Sequence, residues 1–469
     1  MKDNSHAVTA QPPLIAPQLA EFVTNLELEA VPAHVQERAR YLILDAIGIA
    51  YASTQFDFAH RTLSALTELG EGTEPVIGLS ARLSLRDSVT LNGLLIHGLD
   101  FDDTHVPGVI HATASCLPAA LGVAAHQGRH GRDLLLAYIA GMEATTRLGT
   151  VAKGGFHQVG FHPTGLVGAF GCALIAGRLQ NATAHHLAMA QGIALSLASG
   201  SLEFLQDGAW TKRFHPGWAA AAGITAATLA RHGFKGPNAA YEGRFGLYAS
   251  HLGEKLLAAA DLSAATQGLG QAWEIMNVAV KPLPACHFTH ACADAAMALR
   301  REHNIGPDDI EHVRALVPQE VIKTVCEPVQ HKKVPQNGYD AQFSIPYAVA
   351  SGLVRGHFGL ADLEESALRD PVALSVAAKV DYEIDPNSRF PKYYSGEVIV
   401  KLKDGRTVTW REDINRGASD RPLSNAEIEA KFLENASLAV SPARARALRD
   451  AVLTLDQTDA RSLADALAA

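Results

Sequence analysis

A chain of 469 residues is longer than one hydrophobic core ordinarily organises, so two domains are expected, free to interleave. Hydrophobic residues make up 48% and charged residues 19%, a globular balance, and no apolar run is long enough to span a bilayer. A formal net charge of −9 excludes a general nucleic-acid binder, which needs a basic face, but leaves room for a local basic pocket for an acidic metabolite.

The stretch from Met1 to Gln18 is polar and contains proline. It lacks a basic segment followed by an apolar one, so it reads as a loose tail rather than a signal peptide. From Leu19 to about Gly200 the pattern is helical. His34–Ala52 carries Val35, Ala39, Leu42, Ile43, Ala46, Ile47 and Ile49 at helical spacing. Asp87 precedes a helix at Ser88–Leu99, Ala112–His126 is small and apolar, and Gly131-Arg-Asp opens Leu134–Leu148. Faces rich in Ala and Gly all round belong to helices packed on several neighbours, so an antiparallel helical array is expected. No glycine-rich phosphate loop occurs, and no cofactor is expected.

Between these helices lies His97-Gly-Leu-Asp100-Phe-Asp102-Asp103-Thr104-His105-Val-Pro-Gly-Val-Ile-His111. Val106-Pro-Gly breaks any helix, so the run is a helix end followed by a loop. The plain reading is a surface loop whose aspartates cap the next helix. Charging so many groups beside a core is costly unless they pair or do chemistry. A glycine-flanked loop, Gly155 to Gly165, carries His157 and His162 and feeds a helix at Leu166–Leu179; Pro163 and Thr164 suit its start, whose free N–H groups favour an anion. Helices continue through Ala182–Leu205. Asp207 to Gly217 then interrupts them with Lys212 and Arg213 beside Trp210 and His215, a turn with the makings of an anion site. A helix at Trp218–His232 and a loop at Lys235–Asn238 follow.

Around Gly268–Val280 the character changes to an alternating, strand-like pattern. Ile310–Val317 reads as a strand, and Glu397–Lys403 with Arg406–Arg411 flank Asp404-Gly405, a favoured hairpin turn. Helices are expected at Phe343–Val354 and Asp362–Ala378, and again at Ser424–Phe432 and Pro442–Ala468. Asp340 reads as an N-cap. The fold class is therefore mainly α: a large helical domain (1–276 and 417–469) with an inserted smaller α+β domain at 277–416. Five cysteines form no CxxC pair, which fits a reducing cytoplasm. Cys286, His287, His290 and Cys292 are zinc-ligand types, but on a helix after Pro284 only 286 and 290 share a face, so no metal is expected.

Five segments, in order, resemble motifs of the MmgE/PrpD family, which includes 2-methylcitrate dehydratase, cis-aconitate decarboxylase and iminodisuccinate epimerase. They are His97-Gly-Leu-Asp-Phe-Asp-Asp-Thr104 with His111, the His162-Pro-Thr-Gly turn, and Thr211-Lys-x-x-His215-x-Gly217. Lys281-Pro-x-Pro-x-Cys286-x-x-x-His290 and Asp340-Ala-Gln-Phe-Ser344 complete the set. The resemblance covers nearly the whole chain. It implies a helical body with an inserted lid, a homodimer formed through that body, and a cofactor-independent acid–base enzyme. Its substrate would be a small di- or tricarboxylate, gaining or losing a proton at carbon beside a carboxylate. Such a proton is too weakly acidic for an unaided histidine, so cations must stabilise the enolate-like intermediate.

On this reading the catalytic set is Asp100, His111, His162, Lys212 and His287. Thr104, His105, Thr164, Arg213, Lys281, His290 and Tyr339 would bind substrate. His111 and His162 share the base and acid roles. Asp100 orients a neighbouring histidine and raises its pKa, and Thr104 donates a hydrogen bond. Family precedent puts dehydration first. Yet the 2-methylcitrate dehydratases carry Trp and then Gly-His-Pro-Ser-Asp-Asn after the acidic motif, where this chain has His105-Val-Pro-Gly-Val-Ile-His111. An epimerase or a decarboxylase is the alternative, and a non-catalytic carboxylate-binding protein is the alternative of another class.

Overall fold

Small residues decide how the helices meet. A computed structural model describes residues 13–468 and is mainly α-helical. Ala112–His126 and Pro163–Leu179, apolar all round in sequence, are buried on nearly every face. The Leu85–His97 and Thr211–Arg231 helices cross at glycine: a Cβ on Gly93 would lie 2.5 Å from the Gly217 Cα. That close approach brings the end of one helix, at His97, beside the first turn of the other, at Lys212. The Asn425–Ala436 helix packs on Ala33–Ser53, where Phe432 covers Gly48 and Lys431 pairs with the buried Asp45 at 2.8 Å. The chain's last helices thus share the core of the helical body.

Strands are few. β1 (Glu74–Val76) and β2 (Leu79–Leu83) form a hairpin, and β3 (Thr104–His105) pairs antiparallel with β4 (Val278–Ala279). β5 (Ile310–Val317), β6 (Val380–Ile384), β7 (Gly396–Leu402) and β8 (Thr407–Glu412) make a sheet of order β6-β5-β7-β8. β5 runs parallel to β6, while β7 is antiparallel to both β5 and β8. Val313, Val317, Val398 and Val400 point into a second core with the His287–His303 and Ile345–Arg355 helices. Among the described residues no helix is long and apolar enough to cross a membrane.

Several local expectations need correction. Lys212 and Arg213 lie in the first turn of the Thr211–Arg231 helix, not in a turn between helices. Pro216 removes one backbone hydrogen bond there without ending the helix. The expected helix at 362–378 breaks into Glu365–Leu368 and Pro371–Ala377, because Pro371 holds Asp370 in an extended conformation. The 442–468 helix divides likewise, Asp459 capping a second start at Ala460–Leu467. After Ala194 the chain leaves the helix, and only a short 3₁₀ turn follows at Glu203–Leu205. Asp340 is not an N-cap: Asn337 caps Gly338–Gln342, and Ser344 caps Ile345–Arg355. The β1–β2 hairpin and β6 are too short to announce themselves in the sequence. Of the stretch read as a tail, residues 1–12 lie outside the described residues, while Ile15 opens the Ile15–Asn25 helix.

Candidate active site

The loop after His97 is placed by pairing at its far end. Thr104 pairs with Ala279 and His105 with Val278, so β4 delivers Lys281 to the turn at Asp100. Asp100 has a φ of 50°. Lys281 Nζ donates to both the Asp100 carbonyl and Oδ1 at 2.9 Å, and Lys212 Nζ donates to the same Oδ1 at 2.6 Å. Burial alone would push the Asp100 carboxyl up, but the two ammonium groups outweigh it and hold the group well below the usual carboxylate range. Burial likewise opposes charge on Lys281, and Asp100 with Asp102 more than compensates, so its pKa is raised. The cluster forms a floor of one carboxylate beneath two ammonium groups, with the Asp102 carboxylate close enough to act on Lys281 as well.

Three histidines stand over that floor, each anchored through Nδ1. His97 Nδ1 meets Asp102 Oδ2 at 2.8 Å. His111 Nδ1 donates to the Asp103 carbonyl at 2.8 Å; a carbonyl only accepts, so His111 keeps its proton on Nδ1 and presents Nε2 as a lone pair. His162, the N-cap of Pro163–Leu179, shares a hydrogen bond at 3.0 Å between its Nδ1 and His215 Nδ1. The Nε2 atoms of His97 and His162 are buried without a partner. Burial, joined by Lys281 at His111 and by His215 at His162, holds both rings far below the ordinary imidazole range, hence neutral.

His287 begins the His287–His303 helix. Asn415 Oδ1 accepts the Tyr394 backbone N–H at 3.0 Å, which turns Asn415 Nδ2 toward His287 Nε2 at 2.8 Å. His287 therefore carries its proton on Nδ1, a buried donor without a partner. Burial, then Lys281, push its pKa down to about 3.

Asp100, Thr104, His111, His162, Lys212, Lys281 and His287 all line one small cavity of about 40 Å³, room for about three waters. The remaining predicted residues do not line it. His105 is held by Glu274 at 3.0 Å and accepts from Gly108 N. Thr164 Oγ1 accepts the His111 backbone N–H, and His290 donates to the Ala285 carbonyl. Arg213 donates to the Gly98 carbonyl at 2.8 Å and is clasped between Phe58 and Tyr339. These five support the wall. Asp100 hydrogen-bonds the lysines rather than orienting a histidine, although its charge acts to raise His97 and His287 as expected; Asp102 is the carboxylate that pairs with His97.

Sequence reading passed over His97, Asp102 and His215, although all three stand inside quoted motifs. His157 also lines the cavity, with Phe204 and Tyr394 as apolar wall. The aromatics come from distant segments that carry no signal of their own. One ring nitrogen each from His97, His111 and His162 lies within 4.8 Å of the others, as do ligand atoms of Asp100, Asp102 and His111. These are donor sets a metal accepts. The ammonium groups on Asp100 oppose a cation there and favour a carboxylate.

The chain matches the MmgE/PrpD N-terminal domain over residues 17–259 and the MmgE/PrpD C-terminal domain over residues 283–457. It is 29% identical to human cis-aconitate decarboxylase over 447 residues, covering 91% of this chain and 89% of that protein. With cis-aconitate decarboxylase of Aspergillus terreus it shares 26% identity over 457 residues, 93% and 92% of the two chains. The mouse cis-aconitate decarboxylase is 28% identical over 440 residues, 90% of this chain and 87% of its own.

Proposed function

The chain belongs to the MmgE/PrpD family, and from that premise we propose a cofactor-independent carboxylate lyase that decarboxylates cis-aconitate or a close tricarboxylate. The relatives move decarboxylation ahead of the dehydration that family precedent alone favoured. One observation carries the reading: two ammonium groups share one buried carboxylate beneath His111 and His162. Such a floor holds substrate carboxylates and stabilises negative charge that develops on the adjacent carbon.

In the proposed reaction Lys212 and Lys281 bind two carboxylates and the His287 Nδ1–H a third. The C–C bond to the leaving carboxylate breaks, carbon dioxide departs, and its electron pair spreads through the neighbouring double bond toward a retained carboxylate. His162 then protonates carbon. His111, unprotonated at Nε2, serves wherever a C–H bond must instead be broken. The substrate's own negative charge raises the depressed pKa of both rings as it binds. We treat 277–416 as a lid, since it gives the cavity Lys281, Cys286, His287, Phe288, Thr324, Phe343 and Tyr394, and the helical body gives the rest. A cavity this small must open to admit a tricarboxylate. We also propose a homodimer through the helical body, whose Thr211–Arg231 helix leaves Trp218 47% exposed.

Incubation of cis-aconitate, citrate, 2-methylcitrate and iminodisuccinate in heavy water, followed by proton NMR, tests the reading. An itaconate-like product carrying one solvent deuterium is expected from cis-aconitate. A new alkene with water lost means a dehydratase, and deuterium with inverted configuration an epimerase. Binding of these carboxylates without turnover or exchange favours the binding-protein reading.

A further inference from the structure

Decarboxylation consumes one solvent proton per turnover, yet the proposed acid, His162, is 3% exposed and its Nε2 is fully buried. Its other nitrogen bonds His215 Nδ1 at 3.0 Å. His215 does not line the cavity and is only partly buried; its Nε2 has no protein partner and is not among the buried unpartnered atoms, so it opens to solvent. Glycine keeps the bridge clear. A Cβ on Gly165 would lie 2.9 Å from His215 Cβ, and one on Gly200, whose φ is 148°, would meet both His162 and His215. The His162 N–H to Gly200 carbonyl bond, at 3.0 Å, fixes the two loops together.

We infer that His215 and His162 form a two-ring proton relay through the cavity wall, with His215 as the residue that hands the acid a compensating proton as the acid's own goes to carbon. The inference rests on the acid–base reading above. For His162 to give up its Nε2 proton, its Nδ1 must accept, so the His215 Nδ1–H points inward. A solvent proton enters at His215 Nε2, the Nδ1 proton passes to His162 Nδ1, and the His162 Nε2 proton goes to the carbon left with the C–C electron pair. Both rings stay neutral, and neither becomes an imidazolate. The pair ends with its hydrogen bond reversed. It resets when water admitted as product leaves gives a proton to His162 Nε2, its hydroxide departing with that water, while the His162 Nδ1 proton returns to His215 Nδ1 and His215 Nε2 releases its proton outside. His97 and Lys212 stand beside the pair and, after burial, keep His215 down at about 4, which prevents the relay from trapping a proton as a cation.

His215→Gln keeps a hydrogen-bonding amide toward His162 but cannot pass a proton, and His215→Ala leaves space. Both variants should keep the wild-type fold, product and KM while kcat falls by about a hundredfold, the usual scale for losing an acid–base group. Added imidazole should restore His215→Ala and leave His215→Gln unchanged. If His215→Gln keeps kcat within about threefold of wild type, or imidazole fails to restore His215→Ala, the relay is wrong while the reaction stands. No turnover of any of the four carboxylates by the wild type overturns the reaction itself, and the relay with it.

Discussion

Asn415 sets the tautomer of His287: its oxygen is committed to the Tyr394 backbone N–H, so its amide nitrogen must donate to His287 Nε2 at 2.8 Å. Asn415→Asp keeps the Tyr394 contact but can only accept from His287, moving a proton onto Nε2. Turnover per KM should fall by at least about tenfold, the scale of misplacing one polar contact to a charged group, and the imidazole ¹⁵N shifts of His287 should change. Wild-type kcat/KM in this variant would remove the tautomer from the argument.

The two lysines on Asp100 should fail differently. Lys212→Ala is expected to lower turnover by about a hundredfold with a smaller loss of melting temperature than Lys281→Met, because Lys212 makes one bond to Asp100 and leaves that carboxylate still paired with Lys281. Lys281 is 0% exposed and makes two bonds to Asp100. Lys281→Met should cost about 3–5 kcal/mol of stability, the scale for stranding one member of a buried pair. Thermal melts beside steady-state kinetics separate the two, and equal melting temperatures would contradict the assignment.

Beneath the cavity, burial and then Asp102 and Asp45 push the Asp103 carboxyl up to about 7, against an ordinary 3.8, despite a hydrogen bond from Thr113. The folded state therefore binds more protons than the unfolded chain between about pH 4 and 7, and this group's contribution to stability falls as pH rises through that window. Asp103→Asn removes the effect. Its melting temperature should gain on wild type from pH 4 to 7 and then run parallel. A difference independent of pH would dismiss Asp103 as the source.

The Gly93–Gly217 crossing admits no side chain, since a Cβ on Gly217 would sit inside contact distance of the Thr90 carbonyl. Gly217→Ala should cost about 1–3 kcal/mol or more and lower turnover as well, because the same crossing seats Lys212 beside Asp100. An active variant with a wild-type melt would show the crossing to be adjustable.

Light scattering at micromolar concentration should give twice the chain mass if the helical body dimerises. A clean monomer there sets the dimer aside.

Local chemistry was readable without any structure. The Asp404-Gly405 hairpin, the β5 strand at Ile310–Val317 and the small apolar helices follow from periodicity and turn residues, which depend only on near neighbours in the chain. The motifs likewise marked His111, His162, Lys212 and Lys281, since residue type survives without coordinates. Which of these share a cavity was decided by tertiary structure. Asp100 lies 112 residues from Lys212 and 181 from Lys281, and only the glycine crossing and the β3–β4 pairing bring their charges together. The same holds for His105 and Arg213, whose polar side chains look like site residues in sequence but spend their hydrogen bonds on Glu274 and Gly98 behind the wall. A polar residue beside a core has one composition whether it faces substrate or props up the residue that does; its partners across the fold decide between the two, because an unpaired charge cannot stay buried.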